Sequence, residues 1–203
     1  GLVNLERMTT EEMQPHRKHL KEILERHFKY TKSIKAKELL NDFEKHFEVH
    51  TFLKNIRPPE KIVPGGSVAN SIYTMAQFND NVCFSGKVSN DDTGDIFIKC
   101  LVDSDVQSYV NKTKDQQSGE CLVLITPDNE RTMNTYLGSS ALLQTSDINK
   151  DAITESEYLL IEGYLVTSEK TLEVSMAALE YAKKAGSKTV ITLSDPNIVS
   201  FFR

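Results

Sequence analysis

The chain has 203 residues, of which 39% are hydrophobic and 26% charged, and its formal net charge is −5. That length and balance suit one or two globular domains with a sizeable core, and the acidic excess argues against a nucleic-acid binder that works by neutralising phosphates. No apolar run approaches the roughly 20 residues that span a bilayer, and no basic start leads into an apolar leader, so a cytoplasmic location is expected.

Residues 1–60 contain all five histidines and no glycine after Gly1. Thr9 with Glu12 reads as a capping box. After Pro15, the residues Leu20, Ile23, Leu24, His27 and Phe28 fall on one helical face that ends near Tyr30. Ser33 can cap a second helix with Ala36, Leu39, Leu40, Phe43 and Phe47 on its apolar side. The short link Thr31-Lys32-Ser33 predicts an antiparallel helical hairpin, whose apolar face should pack on the following domain or on another chain. His16 with His19, and His46 with His50, lack completing ligands and read as solvated positions, so no metal is expected.

From Lys61 the pattern becomes that of an α/β domain. Gly65 and Gly66 permit positive φ and close approach of a ligand to the backbone. Ser67 reads as an N-cap, and Val68, Ile72, Met75 and Ala76 recur at helical spacing. Free N–H groups and the Ser67 hydroxyl would then face ligand oxygens, with the Asn70 amide one turn further on. A plain strand–turn–helix is the alternative. Asn79-Asp80-Asn81 predicts a turn before a short buried strand, Val82–Phe84. The acidic stretch from Ser89 to Asp95 lacks the bidentate Glu of a calcium loop and reads as an Asx-type turn capping a helix over Asp95–Asp103. Gly86-Lys87 is not a phosphate-binding Walker loop, since the spaced upstream Gly and the following Ser/Thr are missing.

Cys121–Thr126 and Arg131–Tyr136 flank the turn cluster Pro127-Asp128-Asn129-Glu130 and predict a β-hairpin, with Thr132, Asn134 and Tyr136 on one face. Tyr158–Ile161 fits a buried parallel strand, with Gly163-Tyr164 at the carboxyl end where open α/β sheets bind ligands. Leu172, Met176, Leu179 and Ala182 predict a helix that ends at Gly186. A strand over Lys188–Leu193 follows, then Ser194-Asp195-Pro196-Asn197, and the strand–helix–strand order implies a right-handed parallel crossover. Cys83, Cys100 and Cys121 lie in or beside apolar stretches without metal-ligand spacing and are expected as buried, reduced thiols.

Residues 61–95, KIVPGGSVANSIYTMAQFNDNVCFSGKVSNDDTGD, resemble the first signature of the ribokinase-like (PfkB-type) sugar and nucleoside kinases. The elements that carry the resemblance are Gly65-Gly66, Asn70, and Gly86 with Asp91, Asp92 and Gly94. The blocks GECLVLITPDNERTMNTYLGSSALL, IEGYLVTSEKTLEVSMAALEYAKKAG and TVITLSDPNIVSFFR extend it to Arg203 and are most similar to the adenosine-kinase branch. The resemblance implies an incomplete three-layer αβα sheet over 61–203, with a small β lid at about 119–137. It implies contacts to a nucleoside or sugar from Gly65, Gly66, Ser67, Asn70, Arg131 and Tyr164, and transfer of the ATP γ-phosphate, with Mg2+, to a hydroxymethyl group. Arg131 would lie near the transferred phosphate, whose oxygens its fixed fork matches. Tyr164 would stack on the base. A solvent-facing hairpin arginine and a core aromatic remain the alternatives for these two.

Residues 1–60 depart from the family, which begins with a Gly-Asn…Asp strand followed by lid strands. They resemble instead the C-terminal tail of the large subunit of bacterial glutamate synthase, through Thr31, Ser33, Ala36, Leu40, Asn41, Phe43, Phe52, Lys54 and Pro58. The family's later Asp-Thr-x-Gly-Ala-Gly-Asp segment, which supplies anion hole and catalytic base, is not found among the 203 residues. No catalytic residue is therefore assigned, little turnover is expected of these residues alone, and an apolar sheet edge should be exposed. A non-catalytic interaction or scaffold module, a dimer or partner chain covering the helices and the edge, and a piece of a longer or composite protein are the competing expectations.

Overall fold

The computed structural model describes residues 2–4, 61–125 and 131–202. The helical hairpin expected between Thr9 and Phe47, with its capping box and histidines, lies outside the described residues. The chain divides into two units, one of Pro64–Gly119 and Leu137–Arg203, the other of Leu2–Val63 and Glu120–Tyr136.

The smaller unit holds a four-stranded sheet of β1 (Leu2–Asn4), β2 (Lys61–Val63), β5 (Glu120–Ile125) and β6 (Arg131–Tyr136), in the order β2-β1-β5-β6. The expected hairpin is present, its first strand one residue earlier than predicted and its second at the predicted bounds, with Glu120 opposite Tyr136 and Ile125 opposite Arg131. Asn134 and Tyr136 are half-buried while Met133 and Thr135 are exposed, the period-2 alternation expected of that strand. β1 pairs parallel with β5, Leu2 opposite Cys121, and antiparallel with β2. β1 was not expected, and β2 was expected only in the alternative reading of a plain strand–turn–helix at the glycine pair. Three residues are too few to display a strand period, and only long-range partners define them.

The larger unit contains two parallel strand pairs. In the first, β3 (Cys83–Ser89) runs beside β4 (Gln107–Thr113), with Cys83 opposite Gln107 and Ser89 opposite Thr113. α1 (Ser67–Gln77) and α2 (Asp92–Val102) flank it. Ile72, Val82, Leu101 and Val106 form its core, joined by Val68, Ala76, Phe84, Phe97 and Val110. Phe84 meets Phe97 edge to face at 5.7 Å. β3 extends well past the predicted Val82–Phe84, so Gly86 lies inside a strand. β4 was missed because QSYVNKT is mostly polar and carries no apolar run. α2 begins at Asp92 instead of Asp95, because the Asp91 side chain accepts the Gly94 N–H at 2.8 Å and caps the helix three residues earlier.

The second pair is β7 (Tyr158–Ile161) and β8 (Lys188–Ile191), parallel as expected. α3 (Lys150–Glu155) and α4 (Glu169–Ala185) pack with it, and α5 (Pro196–Phe201) follows β8. Ile153, Ile161, Ala178 and Ala182 are the core. α4 ends at Gly186 with φ 80, the left-handed cap expected there. Its buried face differs from the predicted one: Thr171, Val174, Ser175, Ala178 and Ala182 are inside, while Leu172 and Met176 are 40% and 59% exposed. Small side chains occupy the packed face, so the large apolar residues that dominate a periodicity reading point elsewhere. β7 and β8 are also less buried than the apolar run predicted, with Tyr158 53%, Val190 47% and Ile191 52% exposed. Among the described residues no helix is long and apolar enough to cross a membrane.

Cys83, Cys100 and Cys121 are free thiols of intermediate exposure. Burial pushes the Cys83 thiol upward, against a smaller opposing hydrogen bond with Ser156.

A Cβ on Gly94 would lie 2.3 Å from the Ser89 carbonyl oxygen and 3.0 Å from Ser118 Oγ, whereas one on Gly186 would meet nothing within 4 Å. Gly94→Ala should cost about 2–3 kcal/mol in urea unfolding, as overpacking against backbone does. Gly186→Ala should cost only the left-handed strain, about 1 kcal/mol. Equal costs would refute close approach as the constraint at Gly94.

Candidate functional site

The double-glycine turn sets the first wall of the site. Gly66 has φ 109 and ψ 137 and occupies the N-cap position of α1, where its carbonyl accepts the Asn70 N–H at 2.9 Å. Gly65 is not among the positive-φ residues, so the conformational demand falls on Gly66 alone. Ser67 is therefore the first helical residue and not the cap. No side chain caps this helix. The Ser67 hydroxyl instead donates to a carboxylate oxygen of Glu162, 95 positions away in sequence. Asn70 is exposed one turn on, and its carbonyl accepts the Thr74 hydroxyl at 2.8 Å.

The second wall is made where β7 and β8 end. Glu162 leaves β7 in extended conformation, φ −84 and ψ 129, and heads the 3-10 turn Gly163–Thr167 without capping it through its side chain. The Glu162 carbonyl accepts the Leu165 N–H at 3.1 Å, which fixes the backbone that carries the carboxylate. Gly163 is buried so tightly that a Cβ would lie 2.3 Å from the Thr192 carbonyl oxygen. Its N–H also reaches Thr192 Oγ1 at 3.3 Å. The Tyr164 hydroxyl donates to Asp195 Oδ2 at 2.8 Å, and Asp195 Oδ1 accepts the Ile198 N–H at 3.3 Å. Ser194 turns the chain at φ 62. Tyr164 is 42% exposed.

Of the sequence-predicted residues, the larger unit holds Gly65, Gly66, Ser67, Asn70 and Tyr164, and the Ser67–Glu162 hydrogen bond joins the two stretches that carry them. Arg131 opens β6 opposite Ile125 in the smaller unit. Glu162, Asp195 and Thr192 were missed by sequence reasoning. The available signal was position: a charged residue directly after an apolar strand and before a glycine stands at the carboxyl edge of a parallel sheet. Lys87 is engaged elsewhere. It pairs with Asp147 at 2.8 Å, with side-chain exposures of 13% and 11%, and the Asp147 carbonyl accepts Asn111 Nδ2 at 2.7 Å. That arrangement pins the 144–147 turn to β3 and β4, consistent with the reading of Gly86-Lys87 as something other than a phosphate loop.

Chemically, the cluster offers a carboxylate and a hydroxyl at the mouth of a parallel strand pair, a partly exposed phenol ring and an exposed amide. These are groups for hydroxyl and N–H donors with an aromatic face. Gly163→Ala should cost about 2–3 kcal/mol by forcing the β7 and β8 ends apart. Tyr164→Phe, which deletes one partly exposed hydrogen bond, should cost about 1 kcal/mol. Chemical denaturation of both variants checks this order, and a larger loss for Tyr164→Phe would contradict it.

Residues 56–203 match the family described as pfkB family carbohydrate kinase. Over 132 residues the chain is 30% identical to 5-dehydro-2-deoxygluconokinase of Mesomycoplasma hyopneumoniae (strain 7448), a match covering 64% of this chain and 39% of that protein. It is 27% identical over 143 residues to guanosine-inosine kinase of Escherichia coli (strain K12), covering 67% and 33%. Among solved structures, adenosine kinase from Sinorhizobium meliloti superposes with a TM-score of 0.69 at 27% identity, over 75% of this chain and 47% of that one. A probable sugar kinase from Rhizobium etli CFN 42 gives 0.71 at 27%, with the same coverage. The chain thus spans less than half the length of these relatives, and the expected ribokinase-like α/β fold is borne out.

Proposed function

Because this chain belongs to the pfkB family of carbohydrate kinases, we propose that it is the substrate-binding and lid portion of an ATP-dependent sugar or nucleoside kinase of the adenosine-kinase type. The reaction would move the ATP γ-phosphate onto a hydroxymethyl group of a small polyol or nucleoside. The observation that carries this reading is the hydrogen bond between Ser67 and Glu162, which ties the double-glycine turn to the carboxyl end of β7. Polar groups for a hydroxylated ligand and the Tyr164 ring for a flat base are thereby supplied from one place.

In this reading the backbone at Gly65 and Gly66 lets the ligand come close, Ser67 and Asn70 hydrogen-bond its hydroxyls, and Tyr164 stacks on a base where one is present. Arg131 would serve the phosphate being transferred. ATP and Mg2+ are implied by the family. Among the described residues no three or more His, Cys, Asp or Glu side chains converge to hold a metal, and Lys87 is committed to Asp147. No described residue is therefore assigned to either, and no chemical step is derived through them. Location in the cytoplasm belongs to the same proposal.

Titration calorimetry of the chain with adenosine, D-ribose and D-fructose tests the reading. At least one should bind. Tyr164→Ala should weaken a nucleoside about tenfold, the equivalent of about 1.4 kcal/mol of lost stacking, and leave a sugar nearly unaffected. Failure of nucleosides and sugars alike to bind would overturn the proposal.

A further inference from the structure

We propose that Asp195 is a positioning residue that acts through Tyr164, fixing the pitch of that ring for a ligand that carries a flat heteroaromatic base. The inference rests on the function proposed above and ties its nucleoside side to a contact between two strand ends. The observation that carries it is the 2.8 Å hydrogen bond from the Tyr164 hydroxyl to Asp195 Oδ2, made across 31 positions of sequence.

Both partners of that bond are held at their backbones. Tyr164 stands second in the 3-10 turn Gly163–Thr167, where its carbonyl accepts the Thr167 hydroxyl at 2.8 Å. Asp195 stands just before α5, where its Oδ1 accepts the Ile198 N–H at 3.3 Å and its carbonyl accepts the Val199 N–H at 3.4 Å. The turn after β8 is pressed onto Gly163, since a Cβ added there would come within 2.3 Å of the Thr192 carbonyl oxygen and 3.0 Å of Ser194 Oγ. The Thr192 N–H also continues the strand pairing by donating to the Ile161 carbonyl at 3.0 Å. Main-chain contact therefore sets the spacing that the Tyr164–Asp195 bond bridges.

The chemistry of the pair gives it a use. The Tyr164 side chain is exposed, and an exposed ring samples several χ1 wells and a broad χ2. A bond at the far end of the ring restricts that freedom before a ligand arrives, so stacking carries a smaller ordering cost. A carboxylate suits the task because it accepts at two oxygens and donates at neither, one oxygen taking the phenol and the other the Ile198 N–H. Its charge also strengthens the bond to the phenol. A free sugar has no π-face and gains nothing from the pitch of the ring, so the effect separates nucleosides from sugars.

Calorimetric binding of adenosine and D-ribose to the wild-type chain, Tyr164→Phe, Asp195→Ala and the double variant tests the inference. Each single variant should lose adenosine affinity about threefold to tenfold, and the double variant no more than either single one, while D-ribose affinity stays within about twofold throughout. Asp195→Asn, which keeps an acceptor for the phenol, should recover most of the loss. Bound 2-aminopurine riboside supplies a readout that mere support of α5 would not move: its fluorescence should be quenched by stacking in the wild type and brighter at saturation in both single variants. Should Asp195→Ala fail to fold, Tyr164→Phe leaves the Ile198 contact in place and carries the test through adenosine affinity and probe brightness. Additive losses, equal losses for adenosine and D-ribose, or wild-type adenosine affinity in Tyr164→Phe overturn the role of Asp195 and leave the kinase reading intact. Binding of a sugar without adenosine does the same. Binding of none of adenosine, D-ribose and D-fructose overturns both.

Discussion

The carboxylate of Asp91 holds three parts of the larger unit together. Its Oδ1 accepts the Gly94 N–H at 2.8 Å and the Ser118 hydroxyl at 2.6 Å, and its Oδ2 accepts the Ser118 N–H at 2.8 Å. Ser118 Oγ in turn accepts the Ser89 N–H at 2.8 Å. The end of β3, the first turn of α2 and the segment before β5 therefore share one charged acceptor. Ser89 and Ser118 are 6% and 2% exposed, so these bonds are made where water competes little and where an unmet donor would cost about 1–3 kcal/mol. The glycine at position 94 follows from the same geometry, since α2 must start against the Ser89 carbonyl. The chain departs for β5 after Gly119 and returns from β6 at Leu137. Those two residues are held together within the unit, where the Ser139 N–H donates to the Gln117 carbonyl at 2.8 Å and Gly119 sits with no room for a Cβ beside the Leu137 carbonyl.

The β7–β8 pair ends in the same construction with a different outcome. Gly163 again allows a backbone carbonyl, that of Thr192, to come within the radius of a missing Cβ. Tyr164 and Asp195 then bridge the two strand ends. The difference lies in how the acidic groups are used. Asp91 is spent inward on two backbone N–H groups and a buried hydroxyl, whereas the bond described for Glu162 is to one hydroxyl at the head of an exposed helix turn. A carboxylate satisfied by several internal donors is a structural element.

How far the sequence disclosed this depended on whether an element is stabilised locally. α1, α4 and the β5–β6 hairpin carry their own periodicity and turn chemistry, and they lie close to where the residues predict. β4 is polar and exists because β3 lies beside it. β1 and β2 are three residues each and exist through their neighbours in the sheet. The rotated face of α4 was hidden because close packing selects Ala and Ser, which a periodicity reading discounts. At the candidate site, the glycine pair, Asn70 and Tyr164 could be named only as candidates, from motif resemblance. The shift of the N-cap from Ser67 to Gly66 was not legible, because the φ of 109 that calls for a glycine there is a property of the folded backbone. The bond between Ser67 and Glu162 was invisible for a related reason: its partners are 95 positions apart, and no local pattern records a contact of that range.

Charge then bears on how labour is divided in a kinase of this kind. Phosphoryl transfer is mostly positioning and electrostatic stabilisation, and it requires positive groups near the moving phosphate. Glu162 contributes the opposite sign. Several lysines of the larger unit are already paired with acids: Lys87 with Asp147, Lys112 with Asp95, Lys184 with Glu180 and Lys188 with Glu157. On the proposed function, the positive charge that meets the phosphate has to come from groups other than these paired lysines.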